Sequence, residues 1–173
     1  MQTPASIARH PIHPMLIVLP IGLWIFSLVA DIVVHVSSDE TVQTLWFTLA
    51  YYTMAGGLVG ALLAAVPGLI DFLSMSPGRI KTLATMHLAL NLTVVALYAV
   101  NLWLRTTSPP SADLGFALSL FAVVLLGFSG WIGGEMVHVH GVGVSTAGAG
   151  VTEPPSRTEA VRGRGPGSRL GST

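Results

Sequence analysis

Four runs of mostly apolar residues, parted by short polar or Pro-rich interruptions, govern what this chain of 173 residues can become. The hydrocarbon core of a bilayer is about 30 Å thick and is crossed by about 20 apolar residues in a helix. The runs lie at about 15–34, 45–73, 83–104 and 114–137. His13-Pro14 opens the first and Ser37-Ser38-Asp39-Glu40 closes it. The second is longer than a bilayer needs and contains Pro67, so a tilt or a kink is expected there. Arg79, Lys81 and Arg105 bracket the third, and Ser108-Pro109-Pro110 precedes the fourth. Spans joined by short loops are antiparallel neighbours, which predicts an all-α integral membrane four-helix bundle, up-down-up-down, in one domain over residues 1–144. The first run is too long for the apolar part of a signal peptide and has no cleavage site after Ala30, so it is expected to remain as a span. From 145 to 173 the composition turns to Gly, Pro, Ser, Thr and Arg without apolar periodicity, and a disordered tail is expected.

Composition closes off most other classes. Only 9% of the residues are charged and 51% are hydrophobic, whereas a soluble domain carries about 25% charged residues. The absence of cysteine excludes disulfides, thiolate zinc sites, iron–sulfur clusters and covalent c-type haem. Eight basic and eight acidic residues cancel, which speaks against nucleic acid as a partner. The one lysine, Lys81, lies in a loop, so no retinal Schiff base can form in mid-membrane. Phosphate-binding loops, HExxH and GxSxG are missing. Nothing marks a bond-breaking reaction, and a stand-alone enzyme is not expected.

Lysine and arginine set the expected orientation. With both termini cytoplasmic in the inner (plasma) membrane, Arg9, Arg79, Lys81, Arg157, Arg162, Arg164 and Arg169 lie inside and Arg105 alone outside. Lipid removes most of the hydrophobic drive for helix association, so small residues should mark the contact faces. Gly56, Gly60, Ala64 and Gly68 recur every four residues in the second run, and Gly130 and Gly134 do so in the fourth beside Gly127 and Gly133. These stripes serve the internal bundle or a homo-oligomer.

Ionisable residues converge at one level: His10 and His13, Asp71, His87, and Glu135, His138 and His140, with every span contributing. Such residues are costly in a membrane and usually face the bundle interior, so the layer is a candidate functional site. At 100° per residue, Asn91, Tyr98 and Asn101 share the face of His87, while Pro20, Trp24, Ser27, Asp31 and His35 share that of His13. Two imidazoles on separate helices suit a b-type haem. His87, among leucines, is the first ligand, with His13, His138 or His140 as its counterpart. A transition-metal ion held by a subset of His10, His13, Asp71, His87, Glu135 and His138 is the alternative. Only one Glu-x-x-His pair exists, so a di-iron site is excluded. Readings from other classes are a non-catalytic scaffold, in which the polar residues are interhelical locks, and a small ion or proton pathway along Asp31, Asp71, Tyr98 and the histidines.

Several motifs occur in order: His10-Pro11-Ile12-His13-Pro14, Leu19-Pro20-Ile21-Gly22, Asp31, Gly68-Leu69-Ile70-Asp71, His87 with Asn91, Gly130-Trp131-Ile132-Gly133-Gly134-Glu135 and His140-Gly141-Val142-Gly143-Val144. Together, over roughly residues 8–145, they resemble the bacterial membrane family catalogued as domain of unknown function 2231. The resemblance implies a small polytopic membrane domain, found in some relatives beside a Rieske-type iron–sulfur module, and hence a redox protein as partner. It also implies His10, His13, His87 and His140 as the motif histidines, with Asp31 and Asp71 as the recurrent acids.

Overall fold

The computed structural model describes residues 4–8, 10–107 and 112–144. The expected tail at 145–173 lies outside the described residues. A two-stranded antiparallel ribbon, β1 (Ser6–Ile7) and β2 (His10–Pro11), leads into a short helix α1 (Ile12–Leu16). Four long helices follow: α2 (Val18–Val36), α3 (Glu40–Ser74), α4 (Arg79–Thr106) and α5 (Ala112–His138). Counting α1 and α2 as one span, all four are long and apolar enough to cross a membrane. Each overruns its expected bounds by a few polar or weakly apolar residues, because backbone hydrogen bonding continues past the apolar stretch.

Local chemistry explains where the helices begin and break. Pro14 sits in the first turn of α1, where its missing N–H has no intrahelical partner to lose. Pro20 cannot donate to the Leu16 carbonyl, and the helix is interrupted just there, at Ile17, before resuming as α2. Asp39 caps α3 by accepting from the N–H groups of Thr41 and Val42 at 2.8 and 3.2 Å. The 35 residues of α3 run unbroken through Pro67 and span about 52 Å at 1.5 Å per residue, well beyond a hydrocarbon core. Lys81, expected in a loop, lies in the first turn of α4, where it donates to the Phe72 carbonyl and sits over the Phe72 ring.

Buried positions follow a seven-residue rhythm. In α3 they are Ala50, Met54, Gly57, Gly60, Ala64, Pro67 and Asp71, a mean spacing of about 3.5 that keeps one seam toward the neighbours. The main pairings are α2 with α3 and α4 with α5, and the two pairs meet through α3 with α4 and α2 with α5. The second-span glycines act as expected: Gly56 lies against Leu23, Gly60 against Leu19 and Pro20, and Gly68 against His13. Most of the fourth-span stripe does not serve the internal bundle. Only Gly133 meets another helix, at His87, whereas Gly127, Gly130 and Gly134 face open space. The α5 seam runs through Ser119, Ala122, Ser129 and Met136; Gly130 follows Ser129 by 100° of helical rotation and so points off it.

Candidate functional site

Two polar layers lie at opposite ends of the bundle, separated by a mostly apolar centre. The first is built around His13 and His87. Pro67 withholds one N–H from the preceding turn of α3, and within that turn the Ala64 carbonyl accepts from His13 Nδ1 at 2.8 Å. His87 Nδ1–H donates to the Ser129 carbonyl at 2.9 Å and shares its proton with Ser129 Oγ at 3.0 Å. Both bonds require the proton on Nδ1, because a carbonyl oxygen only accepts, so the neutral rings carry their lone pairs on Nε2. Asn91 Nδ2–H donates into the His87 lone pair at 3.0 Å. The two rings stand perpendicular with centroids 6.3 Å apart. Glycine makes both placements possible: a Cβ on Gly68 would lie 2.7 Å from His13 Nδ1, and one on Gly133 would lie 3.2 Å from His87 Cε1.

Other residues of the expected layer are occupied elsewhere. His10 is exposed, and its Nδ1–H donates to the Ala8 carbonyl at 2.9 Å. Asp71 Oδ1 accepts the Ala5 N–H at 2.9 Å. Glu135 and His140 approach each other at 3.9 Å, and His138 is exposed. Consequently, among the described residues, no three His, Asp or Glu side chains form a metal-ligating group. Of the three histidines set against His87, it is His13 that the fold brings to it.

The second layer was only half visible in the sequence. Asp31 lies on the inner face of α2, as its helical phase requires, and both its oxygens accept from Arg105 Nη2, at 2.7 and 2.6 Å. Ser119 Oγ donates to Asp31 at 2.9 Å, Arg105 Nε donates to Asn101 Oδ1 at 3.2 Å, and Asn101 Nδ2 donates to Gly115 O and Ser119 Oγ. The side chains of Arg105 and Asp31 are only 4% and 5% exposed. Arg105, read from the sequence as an outer-loop charge, is thus an interior residue. A signal existed: it lies seven residues from Tyr98 and four from Asn101 on one face, and an acid within a span needs a counter-charge. His35 bonds the Asp31 carbonyl and Asp113 at this same end.

Between the layers, Trp24, Met54, Val94, Tyr98 and Ala122 form the core. Trp24 and Tyr98 stack at 4.4 Å with 8° between their planes, and Trp24 Nε1–H donates to the Met54 carbonyl at 3.3 Å. A polar stripe does run along α4, but this plug interrupts it between Asn91 and Tyr98, and Val94 in the gap is fully buried.

Residues 9–146, most of the chain, match the family described as Predicted membrane protein (DUF2231). The chain belongs to that family. No curated protein and no solved structure matches it. Membership of DUF2231 agrees with the four apolar helices and makes this a membrane protein.

The histidine layer gives a direct prediction. Gly68→Ala will push the His13 ring from Ala64 and cost about 1–3 kcal/mol through overpacking and the lost hydrogen bond. Gly130→Ala, whose new methyl meets nothing, will be neutral within about 0.5 kcal/mol. Thermal unfolding of both variants in the same detergent is the check.

Proposed function

We propose that this DUF2231 protein is a small membrane redox module in which His13 and His87 would hold one b-type haem. The observation that carries the reading is the pair itself: two imidazoles from different spans, 6.3 Å apart, each with Nδ1–H tied to a backbone carbonyl. Such a tie is the usual support of a ligating histidine, because it fixes the tautomer and presents the Nε2 lone pair. A bare ion needs further protein ligands, and the described residues supply no third one beside these two. Haem would supply four nitrogens of its own, so two histidines would complete its ligand set. Bound there, it supplies one-electron transfer, its potential set by the two imidazoles and the apolar surroundings.

The protein's part is to hold the rings, through Ala64, Ser129, Gly68 and Gly133, and to exclude bulk water through the aromatic centre. An electron partner such as a Rieske-type protein fits this setting. The charge asymmetry of the loops favours an inner-membrane protein with both termini cytoplasmic, and the neutralisation of Arg105 by Asp31 leaves the opposite side without a free basic residue among those described.

One contact favours a second reading. Asn91 occupies the His87 lone pair, and it must turn aside for ligation; left in place, it makes His87 an interhelical lock in a scaffold subunit. A reduced-minus-oxidised visible spectrum of the protein, purified in detergent after expression with ample haem, separates the two. The redox reading expects haem bands at one equivalent per chain that vanish in His87→Ala and in His13→Ala. A colourless wild-type protein overturns it and leaves the lock.

A further inference from the structure

The histidine pair lies at one end of the bundle, and the ribbon of β1 and β2 is fastened at that same end. Ala5 is buried at 8% exposure, and its N–H is held by the buried Asp71 carboxylate at 2.9 Å. The Ala5 carbonyl in turn accepts from the N–H of Ile12, the residue before His13. Asp71 lies one helical turn of α3 beyond Gly68, on which the His13 ring rests, so the Ala5 attachment stands just outside that ring. The strands pair Ser6 with Pro11 and Ile7 with His10. Their turn holds Ala8 at φ 50°, a left-handed conformation unfavourable for a residue with a Cβ, and His10 Nδ1–H pins its carbonyl. A strained turn persists only where its surroundings over-determine it. In the turn after α5, Gly143, at φ 77°, lies against Pro11 of the ribbon.

We propose that this ribbon is a lid over the His13–His87 site, latched to α3 by the bond from Ala5 to Asp71, and that opening the latch admits aqueous ligands to His13. As regulation of that site the inference rests on the functional reading above, yet its test needs no bound cofactor. Asp71 thereby acquires a specific role, because an ionised carboxylate on a backbone N–H makes a stronger bond than a neutral acceptor does. The ribbon is short and contributes little to the apolar core, so releasing it leaves the bundle standing.

The experiment measures, on the full chain in detergent, amide hydrogen exchange over residues 4–12 and the rate at which diethyl pyrocarbonate modifies each histidine. That reagent attacks the imidazole lone pair, which His13 carries on Nε2. Asp71→Ala removes the acceptor, and Ala5→Pro removes the donor without touching a helix. Both variants are expected to speed exchange over 4–12 and modification of His13 by about tenfold, the size of effect a charge-assisted hydrogen bond supports. Asp71→Asn, which keeps an acceptor oxygen, should change them less. His35, at the far end of the bundle, should keep its wild-type rate and so reports that the fold is intact. Faster exchange without faster His13 modification overturns the lid, as does a wild-type His13 that already reacts as fast as a free peptide. A colourless protein that passes this test loses the haem reading and keeps the lid.

Discussion

Arg105→Met will destabilise the bundle by about 3–5 kcal/mol, because it strands the buried Asp31 carboxylate among Asn101, Ser119 and the aromatic core. The size comes from the charge left behind. In the native protein both oxygens of Asp31 rest on the guanidinium, and a membrane interior offers little else to solvate them. The double variant Asp31→Leu/Arg105→Met should therefore recover most of the loss, since two apolar side chains of suitable volume replace two paired charges at little net difference. Unfolding of the wild type, both single variants and the double variant in one detergent closes the cycle. A double variant that loses as much as the two single variants added together would show that the two residues act independently.

The second large effect is steric. Gly57→Ala places a methyl 2.3 Å from Nε1 and 2.4 Å from Cδ1 of Trp24. The indole cannot withdraw, because Tyr98 is stacked on its face at 4.4 Å and its N–H is committed to the Met54 carbonyl. The helices α2 and α3 must then part along their most extensive contact, and a loss at or above the upper end of the usual overpacking cost, about 3 kcal/mol, is expected. Trp24 fluorescence should shift in the same variant as the stack loosens. Gly22→Ala on the other side of the interface, where a Cβ meets nothing, serves as the control and should leave both readouts unchanged.

These effects mark what could be read in advance. The spans were legible because crossing hydrocarbon is a local demand: each helix satisfies its own backbone, so about twenty apolar residues suffice to announce one. The inward faces of α2 and α4 were legible for a similar reason, since Trp24, Ser27 and Asp31 share a phase that any regular helix preserves. Pro20 marked the break at Ile17 equally plainly. Small residues proved a weaker guide. Gly57, which admits Trp24, lies beside the expected Gly56, whereas Gly130 and Gly134 face away from the bundle. Spacing by four identifies a stripe without saying which neighbour it faces.

Composition and short-range pattern were enough to establish the solvent, the number of spans, the exclusion of thiolate chemistry and the enrichment of one end in histidine. Each depends on overall content or on residues near one another in the chain. That His13 meets His87, that Arg105 belongs to Asp31, and that Asp71 serves the N-terminal ribbon instead of the histidines emerged with the packed bundle. These pairs are separated by 66 to 74 residues. Their partnership depends on how far each helix is rotated and shifted against the next, which the packing of Gly57 on Trp24 and Gly68 on His13 sets and hydropathy leaves open.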